Sequence, residues 1–152
     1  MKNVSTYLFL AAIGLASLNS CKKDDATTPA PAASKTDLLT AKTWKMTDVK
    51  VSGQSIYGTI LYPACTKDDL VKFSTSKVAT FDEGTSKCDP TSPQSRPGSW
   101  DFTTNETKLK VTDPDGDIME GTIGTLSSTT LIVTDPNGFG PGTAAEMTYT
   151  AQ

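Results

Sequence analysis

The stretch Leu70-Val71-Lys72-Phe73-Ser74-Thr75-Ser76-Lys77-Val78-Ala79-Thr80-Phe81 decides the fold. Two short runs rich in β-branched and aromatic residues flank a small polar segment, which reads as two strands around a Ser74–Lys77 turn. If Ser74 pairs with Lys77, partners across this hairpin sum to 151, and Cys65 faces residue 86, two positions from Cys88. Both cysteines then lie just beyond the strand ends, where the chain can adjust to a bridge.

The same grammar continues outward. Upstream, Trp44 and Met46 alternate with polar residues, and Val49 and Val51 alternate one step out of phase. A strand with a bulge near Thr47-Asp48 puts all four on one face. Ser52-Gly53 ends it, and Ile56 to Ala64 is an apolar but irregular connection. Ser34 or Thr36 caps a short helical turn through Asp37-Leu38-Leu39.

Downstream, Asp82-Glu83-Gly84 is a turn, and Ser92 to Gly98, with Pro93 and Pro97, reads as a loop. Trp100-Asp101-Phe102 and Leu109-Lys110-Val111 are strands around an Asn105-Glu106 turn. Asp113-Pro114-Asp115-Gly116 is a strong turn signal. Ile118 to Leu126 and Leu131-Ile132-Val133 are strands joined at Ser127-Ser128, and Pro136 to Gly142 is a glycine- and proline-rich loop. Met147 to Ala151 closes the chain as a strand.

Eight short strands in sequential hairpins, with no long helix, predict an all-β antiparallel eight-stranded up-and-down barrel over 35–152. Closure also removes the exposed strand edges on which chains aggregate. Trp44, Phe73, Phe81, Trp100, Phe102 and Tyr149 are assigned to its core.

The N-terminus has a different character. Lys2 precedes an apolar run of twelve residues, Tyr7 to Leu18, and small residues then lead to Cys21. Residues 1–20 read as an export signal that is removed. Twelve residues of helix cover only ~18 Å against a hydrocarbon core of ~30 Å, too short for a permanent span. Leu18-Asn19-Ser20-Cys21 resembles a bacterial lipobox, which implies lipidation on Cys21 and cleavage before it. Several acyl chains at ~0.8 kcal/mol per buried CH₂ make a stable attachment to a membrane. Lys22-Lys23-Asp24-Asp25 resembles the signal that sends some lipoproteins to the outer face of the outer membrane; a generic solvated tether is the plain alternative. Ala26 to Ser34 has two prolines and no large apolar residue, so it extends at ~3.1 Å per residue. The expected organisation is therefore 1–20 removed, 21–34 lipidated cysteine and tether, and 35–152 barrel.

Removal of 1–20 leaves Cys65 and Cys88, an even count in an exported chain, which favours a disulfide. Free thiols or a metal pair are the alternatives, but two cysteines without histidine make a poor zinc site. Closing this loop contributes ~3 kcal/mol, a large share of a typical domain stability of ~5–15 kcal/mol.

The set Leu38-Leu39, Trp44, Cys65-Thr66-Lys67-Asp68-Asp69-Leu70-Val71-Lys72-Phe73, Lys87-Cys88-Asp89, Gly98-Ser99-Trp100 and Leu126-Ser127-Ser128-Thr129-Thr130-Leu131 resembles the bacterial lipocalin-like domain of small lipoproteins. The resemblance implies a calycin-type barrel with an interior cavity. Lys42 stands where a true lipocalin has the glycine of its first-strand Gly-x-Trp, so kinship with ligand carriers is one of structure, and fold alone does not confer function.

Composition narrows the chemistry. The chain has no histidine, which removes Ser-His-Asp and Cys-His catalysis and histidine metal sites. Without Lys2, the 14 basic and 17 acidic residues become 13 against 17, and no basic patch suggests nucleic acid. Asp68-Asp69 and Asp82-Glu83 sit at turns and read as solvated acids rather than a glycosidase pair. Asp113-Pro114-Asp115-Gly116-Asp117 begins like a calcium loop, but the EF-hand glycine and glutamate positions are not met, and a hairpin turn is the better reading. No enzyme, cofactor or metal is expected. Tyr57, Ile60, Leu61, Tyr62 and Phe139 lie in glycine- and proline-rich loops. If those loops meet at one barrel end, they form an apolar mouth for a small hydrophobic ligand or an envelope protein; otherwise they plug the barrel. A filled-barrel scaffold subunit and a glycan-binding module are the alternative functions.

Overall fold

The computed structural model describes residues 32–152. The export segment, Cys21, the charged stretch behind it and the tether as far as Pro31 lie outside the described residues.

Ser34 caps α1 (Lys35–Thr40). Its Oγ accepts from the Asp37 N–H at 3.1 Å, and the Asp37 carboxylate accepts from the Ser34 N–H at 3.1 Å, a reciprocal cap that satisfies two otherwise orphaned donors. Strands β1 (Thr43–Val51), β2 (Gln54–Ser55), β3 (Leu70–Phe73), β4 (Val78–Asp82), β5 (Ser95–Thr103), β6 (Lys108–Thr112), β7 (Ile118–Leu126), β8 (Thr130–Asp135) and β9 (Ala145–Ala151) follow. A 3-10 turn, Ala64–Asp68, precedes β3. Neighbours in sequence pair antiparallel from β3 to β9, and β1 pairs with both β3 and β9. The result is a closed eight-stranded barrel, as expected, with β2 as one extra strand.

The bulge in β1 falls where the alternation slips. Met46 pairs with Tyr149 and Asp48 with Thr148, so Thr47 is the extra residue. Trp44 and Val49 are buried on the inward face on either side of it.

Three local expectations are corrected. The β3–β4 partners sum to 152, not 151: Val71 pairs with Phe81 and Phe73 with Ala79. Lys77 takes a positive φ of 67°, and the Ser74 N–H donates to Val78 O, so one residue bulges out of the turn and Ser74 faces Val78. A three-residue connection ending in a left-handed residue matches the right-handed twist of the strands. Ser95 to Gly98, expected as loop, belongs to β5, with Pro97 opposite Thr80. The β5–β6 ladder begins only at Ser99↔Thr112. The donor that Pro97 lacks therefore points past the end of β6, where no ladder bond is lost. Finally, β2 was not expected. Ser52 and Gly53 both take positive φ, at 50° and 78°, so this pair does more than end β1: it is a two-residue hairpin turn.

The core fills the barrel from one side. Trp44, Leu39, Leu109, Leu131, Val49 and Val133 are the largest fully buried side chains. Trp44 Nε1 donates to Leu39 O at 2.8 Å, locking α1 across the barrel end. Trp100 packs edge-on against Phe73 and Phe102, with ring centroids 5.7 and 5.3 Å apart. Gly121 lets β7 approach this layer: a Cβ there would lie 2.3 Å from Val133 Cγ1. The α1 end also holds the tight hairpins after β3, β5 and β7. The opposite end carries the long connections 56–69, 83–94, 113–117 and 136–144.

Candidate functional site

Side chains alternate along a strand, so each inward row can be followed to the loop end. Val71 and Phe73 on β3 continue back to Asp69. Leu109 and Val111 on β6 continue to Asp113, and Leu131 and Val133 on β8 continue to Asp135. Met119 on β7 continues back to Asp117, and Ala79 and Phe81 on β4 continue to Glu83. Five apolar rows thus end in a carboxylate at the same end of the barrel.

Between the rows lies a cavity of about 500 Å³. Its walls include Val71, Phe73, Phe81, Leu109, Leu131 and Met147, and Asp113, Asp117 and Asp135 stand at its rim. A second hollow of about 230 Å³ adjoins it across Val71, Phe81 and Tyr149 and reaches Trp44, Tyr62 and Asp69. A third, of about 200 Å³, lies between Asp69, Glu83, Arg96 and Asp113. Volumes of this order and an apolar lining with a few convergent polar groups are the features of small-molecule sites.

The carboxylates differ in their surroundings. Asp135 is only 6% exposed, yet it has no cationic partner among the described residues. Its oxygens accept from the backbone N–H groups of Glu120 at 3.2 Å and Asn137 at 2.8 Å. Asp113 Oδ1 accepts from the N–H groups of Asp115 and Asp117, tying the β6–β7 turn. This is the hairpin turn that the sequence favoured at the calcium-like stretch. Asp115 is paired with Arg96 in two parallel bonds of 2.8 and 3.0 Å, which hold its carboxyl below the usual range. Asp68 accepts from the Thr85 and Ser86 N–H groups and the Thr85 hydroxyl, which lower its pKa. Asp69 next to it behaves oppositely. Desolvation first, then the nearby charges of Glu83, Asp68 and Asp82, push it up to about 6. Its Oδ1 is buried without a hydrogen-bond donor among the described residues.

The expected mouth residues separate into two groups. Tyr57 and Tyr62 pack together, ring centroids 5.9 Å apart, against the Val49 side of the core, and Tyr62 lines the second hollow. The Tyr57 hydroxyl donates to Met46 O at 2.9 Å. Ile60 and Leu61 are 96% and 55% exposed, and Phe139 is 42% exposed at the tip of the β8–β9 loop. These three lie at the loop end of the barrel, and none lines the cavities described above. The acidic rim was missed in the sequence, although its signal was there: Leu131-x-Val133-x-Asp135 and Leu109-x-Val111-x-Asp113 carry the inward period one step past the apolar residues.

Cys65 and Cys88 form a disulfide with Cα atoms 5.2 Å apart. It staples the 3-10 turn before β3 to the β4–β5 connection, both at the loop end.

A barrel closed by β1 against β9, plugged by a helix at one end and hollow at the other, defines a lipocalin-like architecture. The lipocalin-like domain family matches residues 40–133, more than half of the chain, and the protein belongs to that family. A comparison with curated proteins finds no match. Barrels of this family are generally non-catalytic binding modules.

Proposed function

We propose that the protein is a lipid-anchored envelope lipoprotein whose barrel holds a small, largely apolar ligand. The observation that carries the ligand reading is the cavity of about 500 Å³, walled by barrel side chains and open at the loop end. Small barrels of eight strands are often filled by their own side chains, so a hollow of this size is informative. The anchoring reading rests on the lipobox-like Leu18-Asn19-Ser20-Cys21 and the spacer behind it, and an outer-membrane, surface-exposed location rests on Lys22-Lys23-Asp24-Asp25. In this arrangement Cys21 holds the protein to the membrane, and the spacer carries the barrel away from it.

Titration of the purified chain with a neutral hydrophobic fluorophore tests the ligand reading. Saturable enhancement that an unlabelled apolar competitor reverses is expected. Absence of saturation would favour a filled-barrel scaffold in an envelope complex. Cys21→Ser is expected to leave the membrane fraction or to accumulate uncut; unchanged anchoring would refute the lipoprotein assignment.

A further inference from the structure

The cavity has a polarity that its volume alone does not convey. Its floor is hydrocarbon and aromatic, while its rim is set by Asp113, Asp117 and Asp135, and no lysine or arginine is among the described residues that line it. Asp135 is the telling member. It is nine-tenths buried and accepts two backbone N–H bonds, but no cation neutralises it among the described residues. A carboxylate oxygen has two acceptor sites, so capacity remains toward the cavity. A buried charge without a counter-ion is costly unless something pairs with it.

Among the described residues the loop-end cations have partners outside the 500 Å³ cavity, although Arg96 borders Asp113 across the third hollow and Lys50 pairs with Glu146. Arg96 is held by Asp115, Lys87 by the Ser92 carbonyl, and Lys67 lies 6.0 Å from the centroid of the Tyr57 ring. Nor is the rim shaped for a metal: among the described residues no three acidic or cysteine side chains converge on a common point. An organic cation fits better, its head donating hydrogen bonds to the rim carboxylates and its apolar body in the barrel.

We propose that the barrel selects an amphiphile with a positively charged head, an amine, ammonium or guanidinium, seated between Asp113, Asp117 and Asp135, its apolar part entering toward Leu109 and Leu131. This rests on the ligand-binding reading above and narrows it to a chemical class. An anionic amphiphile such as a fatty acid would bring like charge to the rim and is selected against.

The test is displacement of a bound neutral fluorophore from the purified full chain by three matched probes, decylamine, decanol and decanoate, below their micelle-forming concentrations. The amine should compete at least tenfold better than the acid, with decanol between them, and added salt should narrow the gap. Asp117→Asn is the cleanest variant, because the Asp117 carboxylate is exposed and accepts no hydrogen bond from the described residues. It should weaken the amine several-fold and leave decanol unchanged. Equal competition by all three probes, or preference for decanoate, would overturn the charge selection while leaving an apolar cavity site intact. An equal loss for all probes in Asp117→Asn would overturn the seat assigned to the head group. Saturable binding of nothing at all would remove both this inference and the reading beneath it.

Discussion

The two ends of the barrel are built by different physics. At the α1 end, order comes from burial: Leu39 and Trp44 are completely inaccessible, and tight hairpins leave little chain outside the core. Lys77 lies 4.1 Å from the Trp100 ring centroid and 2.9 Å from Asp101, and Trp100 Nε1 donates to Ser74 O, sewing a turn onto the aromatic layer. At the loop end, connections are long, apolar tips stand in solvent, and five of the inward rows finish in acids. Order there comes from a covalent link and local backbone bonds. The first arrangement maximises stability. The second spends part of it on an open, charged mouth, which is where a binding protein needs its variable surface.

The largest test of this contrast is Trp44→Ala. It removes the side chain that plugs the closed end and its bond to Leu39, and should cost about 3–5 kcal/mol in denaturant unfolding. A loss below 1 kcal/mol would mean that the closed end is not where stability resides. Replacing both Cys65 and Cys88 with serine should cost about 3 kcal/mol through the released loop entropy. Protection against hydrogen exchange should then fall by the global loss in the core strands, the β5–β6 hairpin included, and 56–69 and 83–94 should in addition open locally; no local excess in those two segments would erase the distinction between the ends.

A smaller gain is expected at the closed end. Thr104, Asn105 and Glu106 all take positive φ, at 52°, 54° and 59°, in the four-residue connection between Thr103 and Lys108, closed by Thr107 N–H to Thr104 O. Asparagine tolerates this conformation and glutamate does not. Glu106→Gly should therefore raise stability by about 0.5–1 kcal/mol, after the larger entropy that glycine loses on folding is discounted. A lower melting temperature would contradict the turn assignment.

The smallest effect is a pH dependence at the mouth. Burial and the neighbouring acids raise the Asp69 carboxyl in the folded protein to about 6, from 3.8 for a free aspartate side chain. Between these values the folded state binds more protons than the unfolded one, so this residue's contribution is present below about pH 4 and is lost as pH rises through 6. Asp69→Asn should remove that slope. Its melting temperature should match the parent near pH 4 and exceed it modestly at pH 7.5. A constant difference across that range would refute the assigned shift.

The closed end was the more legible in sequence. Alternation in Trp44-x-Met46, the phase slip before Val49, and apolar pairs such as Leu109-x-Val111 encode strand and face directly, because the strand period is two whatever lies opposite. Ser34 and Asp37 carry their cap within four residues. Where the sequence misled, non-local pairing decided. Pro97 reads as a loop residue until β6 is known to stop short of it, and the hairpin register turns on one left-handed residue at Lys77. The loop-end aromatics stand out in sequence against their glycine- and proline-rich surroundings, while the acids at the cavity rim have the local signature of ordinary turn residues.

Local period and turn chemistry were thus enough to establish an all-β chain of sequential hairpins, because those signals act between near neighbours. Closure of β1 on β9, the hollow left inside it and the arrival of five carboxylates from five strands at one end of the barrel belong to the tertiary structure. Each depends on residues far apart in sequence that meet only when the barrel shuts, and no local pattern records how much space or uncompensated charge that meeting leaves.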